Sequence, residues 1–197
     1  MNDIVLANID KSFGDKRVLT GVTHTFAAGG VHGVMGPSGC GKTTLLNILL
    51  GLLPPDAGTV AGVNPNALGA VFQEDRLCER ASVGANIRMA APAFREDGAL
   101  RPLLAEMGLE AKTPVFELSG GMKRRVALLR ALAAPSELII MDEPFTGLDE
   151  GLKQTAAACI RRRQGGRTLI VVTHSKNDLS LLGGSLSLSL PGCFTTG

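Results

Sequence analysis

The nine residues GPSGCGKTT, Gly36 to Thr44, follow directly on the apolar run GVHGVM and open a second apolar run, KTTLLNILLGL. A glycine-rich loop between a short strand-like run and a helix-like run constrains this chain more than any other feature. Gly36, Gly41, Lys42 and Thr43 fit the pattern G-x-x-x-x-G-K-[ST], which is a phosphate loop when a strand precedes it and a helix follows. Backbone N–H groups of Gly39 to Thr43 would then wrap phosphates at a helix N-terminus, where unpaired donors and the helix dipole favour anions. Lys42 would reach the β- and γ-phosphates, and the Thr43 hydroxyl would take Mg²⁺. The alternative is a plain glycine turn. Kinases, GTPases and motors all use this loop, so it implies a nucleoside triphosphate and leaves its use open.

The rest of the pattern alternates strands with helices. IVLANI and GVTHTFAAG read as strands of a partly exposed antiparallel sheet, because apolar and polar residues alternate. VHGVM, GAVFQ, ELIIMDEP and RTLIVVTH are short, continuously apolar runs, as expected of strands buried on both faces. MKRRVALLRALAA, stopped by Pro135, and GLKQTAAACIRRRQ read as helices. The tail SLSLSL reads as an edge or surface strand. From Arg76 to Glu117 alanine and leucine dominate, broken by Pro92, Pro102 and Pro114, and two short helices are expected over Val83–Ala90 and Ala99–Met107. The predicted fold is α/β, a P-loop NTPase core with a mostly parallel sheet, an antiparallel β subdomain and a short helical subdomain. The expected division is one domain over 1–197, with 1–75 and 119–197 as core plus β subdomain and 76–118 as the helical piece.

Composition excludes several classes. With 197 residues, 45% of them hydrophobic, the chain is long enough for one sizeable core. A formal net charge of +2 and the absence of Tyr and Trp give no support for nucleic-acid binding by stacking. Cys40, Cys78, Cys159 and Cys193 are scattered without metal-ligand spacing and read as reduced thiols. No run approaches the ~20 apolar residues of a membrane span. The N-terminal MNDIVLANID lacks a basic leader region, so a soluble chain is expected.

Two further stretches carry chemistry. In LIIMDEP, four apolar residues place Asp142 at the carboxyl end of a buried strand beside the glycine loop, where an acid holds the Mg²⁺ water shell. Glu143 follows and can accept a proton from a water attacking the γ-phosphate; alone, the same residues would equally suit a turn with a helix cap. In ELSGGMKRRVALLRAL, Ser119, Gly120 and Gly121 suit an N-cap with a glycine turn. Lys123, Arg124 and Arg125, however, crowd the first turn of that helix, where the dipole disfavours cations. A strong anion facing this end would account for them, while Arg161–Arg163 reads as a solvated helix end.

Taken in order, GPSGCGKTT, VFQEDRL, LSGGM, LIIMDEP, GLD and VVTH resemble the nucleotide-binding subunit of an ABC transporter over essentially the whole chain. The resemblance implies ATP and Mg²⁺ as cofactors, and a head-to-tail dimer in which each ATP lies between one copy's phosphate loop (Gly36, Pro37, Ser38, Gly39, Cys40, Gly41, Lys42, Thr43, Thr44) and the other's Ser119, Gly120 and Gly121. It implies that Gln73 reaches the Mg²⁺ and the attacking water, that Asp149 crosses the dimer seam, and that His174 contacts the γ-phosphate and orients the water. Phe13 occupies the position whose ring stacks on adenine. Glu143, His174, Lys42 and Gln73 are thus the expected catalytic set, and Thr43, Gln73 and Asp142 the metal set. The implied setting is the cytoplasmic face of the inner membrane, against integral permease subunits and, in the full complex, a solute-binding protein, with no nucleic acid.

The stretches GGMKRRVAL and FQEDRL are most similar to the branch that imports nitrate, sulfonate, taurine and similar nutrients. The spacing of 46 residues from Gln73 to Ser119 is short for the family's helical subdomain, Met122 stands where many relatives have glutamine, and the chain stops 23 residues after His174, so an appended regulatory domain is not expected. Hydrolysis powering transport is the expected function. A mechanical or regulatory module on a membrane complex is the alternative, and a soluble metabolite kinase is argued against by LSGG and Glu143.

Overall fold

The structure is a computed structural model and describes residues 2–94 and 97–191. In chain order these form β1 (Ile4–Phe13), β2 (Lys16–Phe26), β3 (Val31–Met35), α1 (Lys42–Leu49), β4 (Ala57–Ala61), β5 (Leu68–Val71), α2 (Val83–Ala90), α3 (Asp97–Ala105), a 3-10 turn (Val115–Glu117), α4 (Gly120–Ala133), β6 (Leu138–Asp142), α5 (Glu150–Gln164), β7 (Thr168–Val172), α6 (Lys176–Leu181) and β8 (Ser185–Ser189). Strands β5, β6, β7, β3 and β8, in that spatial order, make a parallel sheet. β2, β1 and β4 make a separate antiparallel sheet.

The apolar runs are continuous because both faces of the parallel sheet are covered. Along β6 and β7 the side chains alternate between two cores. Ile139, Met141, Leu169 and Val171 pack toward α4 and α5 with the helical segment, while Leu138, Ile140, Ile170 and Val172 pack toward α1 and the antiparallel sheet. In β1 the expected alternation breaks once. Asn8 takes a left-handed φ of 51°, and the register with β2 shifts between Leu6 and Ile9. The extra residue turns Ile9 inward beside Ile4 and Leu6, all three buried.

The helix expected over Val83–Ala90 forms over those residues, capped by the Ser82 hydroxyl, which accepts from Ala85 N at 3.2 Å. The second begins at Asp97 and ends at Ala105, earlier than the expected Ala99–Met107. Pro102, read as a breaker, lies inside it. Its missing N–H forgoes the bond to the carbonyl of Gly98, in the first turn, where the chain is exposed. The strand read in GAVFQ stops at Val71, before Gln73. Cys193 lies outside the described residues. No helix among the described residues is long and apolar enough to cross a membrane.

Arg161–Arg163 is a largely exposed helix end, as expected, but its cations are engaged within the chain. Arg163 Nη2 and Nε donate to Glu106 Oε1 and Oε2 at 2.9 and 3.2 Å, Arg162 lies 2.7 Å from the same carboxylate, and Arg161 donates to the Leu181 carbonyl. The hydrogen bond from Arg163, more than any other contact, holds Glu106 down to about 2 from an ordinary 4.5. A depressed carboxylate stabilises the fold fully above its unfolded value and loses that contribution as pH falls toward its folded one. Glu106→Gln is therefore expected to cost about 1 kcal/mol at pH 7, the upper end for a partly exposed ion-pair network, or roughly 2–4 °C in melting midpoint at this size. Denaturant melts of both proteins from pH 7 down to pH 2 check this. The gap between them should close through the acid range, and a gap independent of pH would contradict the assignment.

Candidate active site

The carboxyl ends of β3, β5, β6 and β7 open on the same side of the parallel sheet, and the loops that leave them carry the predicted residues. β3 runs into the phosphate loop. Gly41 precedes α1 with φ of 101°, and a Cβ there would lie 2.8 Å from Val18 Cγ1 and 2.9 Å from Leu19 Cδ2. Only glycine lets the loop turn into the helix this close to β2. A Cβ on Gly36 would meet Cys40 Sγ at 2.6 Å, so the buried Cys40 fills the inside of the loop. Lys42 is buried, and its Nζ donates to the carbonyls of Gly36 and Pro37 at 2.8 and 2.9 Å. Pro37, Ser38, Gly39 and Thr43 are exposed, with Thr44 half-buried beside them.

Phe13 is 53% exposed at the end of β1, and together with Lys16 and Val18 it lines a cavity of about 300 Å³ whose far side is Gly39, Gly41, Lys42, Thr43 and Thr44. An exposed ring on one wall and a cationic, amide-rich loop on the other suit a ligand with a flat apolar end and an anionic end.

β6 brings Asp142 to the loop, where Thr43 Oγ1 donates to Asp142 Oδ2 at 3.2 Å. Burial, chiefly, raises the Asp142 carboxyl above its ordinary range, against the pull of Thr43, Arg124, Lys42 and His174. A hydroxyl and a carboxylate set side by side are hard oxygen donors of the kind that suit Mg²⁺. Glu143 adopts φ of 48°, in the left-handed region a non-glycine residue rarely occupies. Its N–H donates to the Val172 carbonyl at 2.9 Å, which ties the turn to the end of β7. Its Oε1 is buried without a hydrogen-bond donor, 3.4 Å from His174 Nε2, which lacks a hydrogen bond's alignment toward it. Burial is again the main cause that raises the Glu143 carboxyl, opposed first by His174. Gln73 is exposed two residues beyond β5, and Val71 pairs with Met141, so Gln73 leaves the sheet at the same end as Asp142 and Glu143.

Four predicted residues lie on other surfaces, and none lines the cavity. Ser119 caps α4, accepting from Met122 N at 3.3 Å, and with Gly120 is exposed. A Cβ on Gly121 would sit 3.1 Å from the Gly147 carbonyl. Asp149 caps α5, accepting from Leu152 N at 2.8 Å, and is also exposed.

The basic start of α4 has a different explanation from the one its sequence suggested. All three cations are engaged within the chain. Lys123 pairs with Glu79 at 2.8 Å, and Arg125 donates to the carbonyls of Gly121 and Met107. Arg124 is buried against Phe72, Asp75 and the Asp142–Pro144 turn. Sequence reasoning misses this role; the crowding of cations against the helix dipole is the available signal, and it marks partners inside the chain.

A family model described as ABC transporter matches residues 19–146, from β2 through the phosphate loop and the start of α4 to the Asp142–Glu143 turn. The chain belongs to the ABC transporter family. It is 36% identical to the Fe(3+) ions import ATP-binding protein FbpC 3 of Rhodococcus jostii, over 93% of this chain and 58% of that protein. It is 35% identical to the taurine import ATP-binding protein TauB of Pelagibacter ubique, over 97% of this chain and 80% of that one. The chain thus spans little more than half the length of the iron-import relative. Among solved structures, the dimeric post-hydrolysis state of the ATP-binding cassette MJ0796 bound to ADP and Pi superimposes with a TM-score of 0.79 at 27% identity, covering 90% of each chain. The family and the α/β fold expected from the motifs are both borne out.

Proposed function

We propose that this chain is the ATP-binding subunit of an ABC import system, hydrolysing ATP in a head-to-tail dimer to power solute passage through separate membrane permease subunits. The observation that carries this reading is the cluster at the ends of β6 and β7. There Thr43 and Asp142 are hydrogen-bonded, and beside them the half-buried Glu143 keeps one buried carboxylate oxygen without a donor, 3.4 Å from His174.

In this reading adenine stacks on Phe13, and the phosphates lie on the backbone N–H groups of Gly39 to Thr43 at the start of α1. The Lys42 ammonium faces the β- and γ-phosphates. Thr43, Asp142 and, from β5, Gln73 would hold Mg²⁺, which when bound supplies charge screening on the γ-phosphate. Water attacks the γ-phosphorus in line, its proton passes to Glu143 while His174 orients it, and ADP leaves. Ser119, Gly120 and Gly121 of the second copy, capping α4, close on the γ-phosphate, and Asp149 crosses the seam. Residues 76–118 form the helical unit that meets the permease, and residues 1–75 with 119–197 the ATPase unit. The assembly sits at the cytoplasmic face of the inner membrane, with a solute-binding protein in the full complex.

Phosphate release from ATP and Mg²⁺ tests the reading, because hydrolysis by a dimer rises faster than linearly with protein concentration. Ser119→Arg places a long cation at the seam and is expected to cut the rate by about 10²-fold or more, while each subunit still binds trinitrophenyl-ATP. A Ser119→Arg rate equal to wild type, or phosphate transferred to an added metabolite in place of water, would exclude the sandwich.

A further inference from the structure

Arg124 is 3% exposed, yet it carries its charge at the start of α4, where the helix dipole opposes a cation. Its guanidinium is offset by five acceptors from two separate loops. Nη2 donates to the carbonyls of Asp142 and Glu143, both at 2.6 Å, and Nε donates to that of Pro144 at 3.2 Å. Nη1 donates to the Phe72 carbonyl at 2.6 Å and to Asp75 Oδ1 at 3.0 Å. Successive carbonyls of an extended strand point to opposite sides. Those of Asp142 and Glu143 reach one nitrogen because Glu143 is left-handed, with φ of 48°. The same guanidinium therefore holds the backbone of the turn that aims the Glu143 carboxylate. On its other edge it grips the chain on both sides of Gln73. Arg130, further along α4, donates to the carbonyls of Asp75 and Arg76 and fixes the far end of that loop.

We propose that Arg124 is a positioning residue for hydrolysis, one that locks the Gln73 loop and the strained Glu143 turn into a single unit anchored on the helix that begins with Ser119. The assignment rests on the hydrolytic reading of Glu143 given above. It is an assignment to shape as much as to charge. A planar fork with donors on three nitrogens spans two loops, whereas a lysine ammonium is a single point with three donors and cannot replace it. Because Arg124 lines no part of the phosphate-loop cavity, its loss should leave ATP binding in place and slow the chemical step.

The test compares Arg124→Lys and Arg124→Met with wild type in the full chain by three readouts: kcat and KM for phosphate release, affinity for trinitrophenyl-ATP, and hydrogen exchange of the nucleotide-free protein. Both variants are expected to lose about 30-fold or more in kcat with KM and analogue affinity within about threefold, the signature of an interaction that matters only in the transition state. Exchange should quicken together at the amides of Glu143 and Thr146 in the turn and across 73–76. Wild-type kcat in either variant overturns the proposal. So does a parallel fall of kcat and analogue affinity, which marks a residue that merely supports the fold. If both variants are insoluble, Asp75→Asn keeps Arg124 and removes its charged partner. It should lower kcat by about three- to tenfold at constant KM, and an unchanged kcat then overturns the assignment. Glu143→Gln, run alongside, separates the two claims. If it hydrolyses ATP like wild type, the hydrolytic reading falls and takes the role of Arg124 with it; if it is inactive while Arg124→Met is not, Arg124 alone is misassigned.

Discussion

Replacing Glu143 by Gln is expected to slow ATP hydrolysis by about 10²–10⁴-fold, the contribution of a positioned general base, and to leave ATP affinity within about threefold. The substitution keeps the shape of the side chain, so an amide oxygen or nitrogen takes the place of Oε1 beside His174. What it removes is the ability to take a proton. Burial already works against the charged form of Glu143 and raises its carboxyl. A neutral amide in this place therefore costs the fold little, and the loss should appear in turnover alone. With ATP bound and hydrolysis stalled, the head-to-tail dimer should accumulate, visible by size-exclusion chromatography as a dimer that forms with ATP and dissolves when Ser119→Arg is added to the same chain. A Glu143→Gln protein that turns over ATP within about threefold of wild type would remove this residue from the chemistry. One that binds ATP and stays monomeric would remove the sandwich.

Much of the fold was legible because the signals were local. Continuous apolar runs ending in GPSGCG, DEP and TH specified strands buried on both faces, and the loops that leave them, without any knowledge of the partners across the sheet. The phosphate loop is legible for the same reason, since Gly41 must be glycine whatever surrounds it and Lys42 must follow it. Long-range electrostatics were not legible. The Arg161–Arg163 run finds Glu106 more than fifty positions earlier in the chain, a pairing that depends on how α3 meets α5. Arg124 spans Phe72 and Pro144, which the sequence separates by 72 positions and the parallel pairing of β5 with β6 brings together. The backbone details were also hidden. Nothing in the alternation of β1 announces the left-handed Asn8, and D-E-P reads as an ordinary turn until Glu143 is seen at positive φ, its carbonyl accepting from Arg124 and its N–H donating to Val172. Pro102 read as a breaker because the sequence does not reveal that an exposed helix start lies just before it.

Lys42→Ala should produce the complementary defect, lost binding in place of lost chemistry. An ammonium has three donors. Two of them go to the carbonyls of Gly36 and Pro37, so Lys42 closes the loop on itself before any ligand arrives, with its third N–H and its full charge available to phosphate. A charge-assisted hydrogen bond is worth about 1.5–3 kcal/mol, so alanine should weaken ATP by about 10- to 150-fold. Thermal melts read this directly. At an ATP concentration 100 times the dissociation constant, wild type gains about 2.7 kcal/mol, or roughly 5–10 °C in midpoint. If Lys42→Ala binds about 100-fold more weakly, the same ATP concentration only equals its dissociation constant, and the gain shrinks to about 0.4 kcal/mol, roughly 1 °C. Lys42→Ala also leaves two loop carbonyls without their donor, so its midpoint without ATP should fall as well, and the comparison must be made between each protein's own ligand-free and ATP-bound melts. An undiminished ATP shift in Lys42→Ala would mean that the backbone cradle binds the phosphates unaided. Set beside Glu143→Gln, whose ATP shift should match wild type, the pair separates the loop proposed to hold the nucleotide from the turn proposed to take the proton of the attacking water.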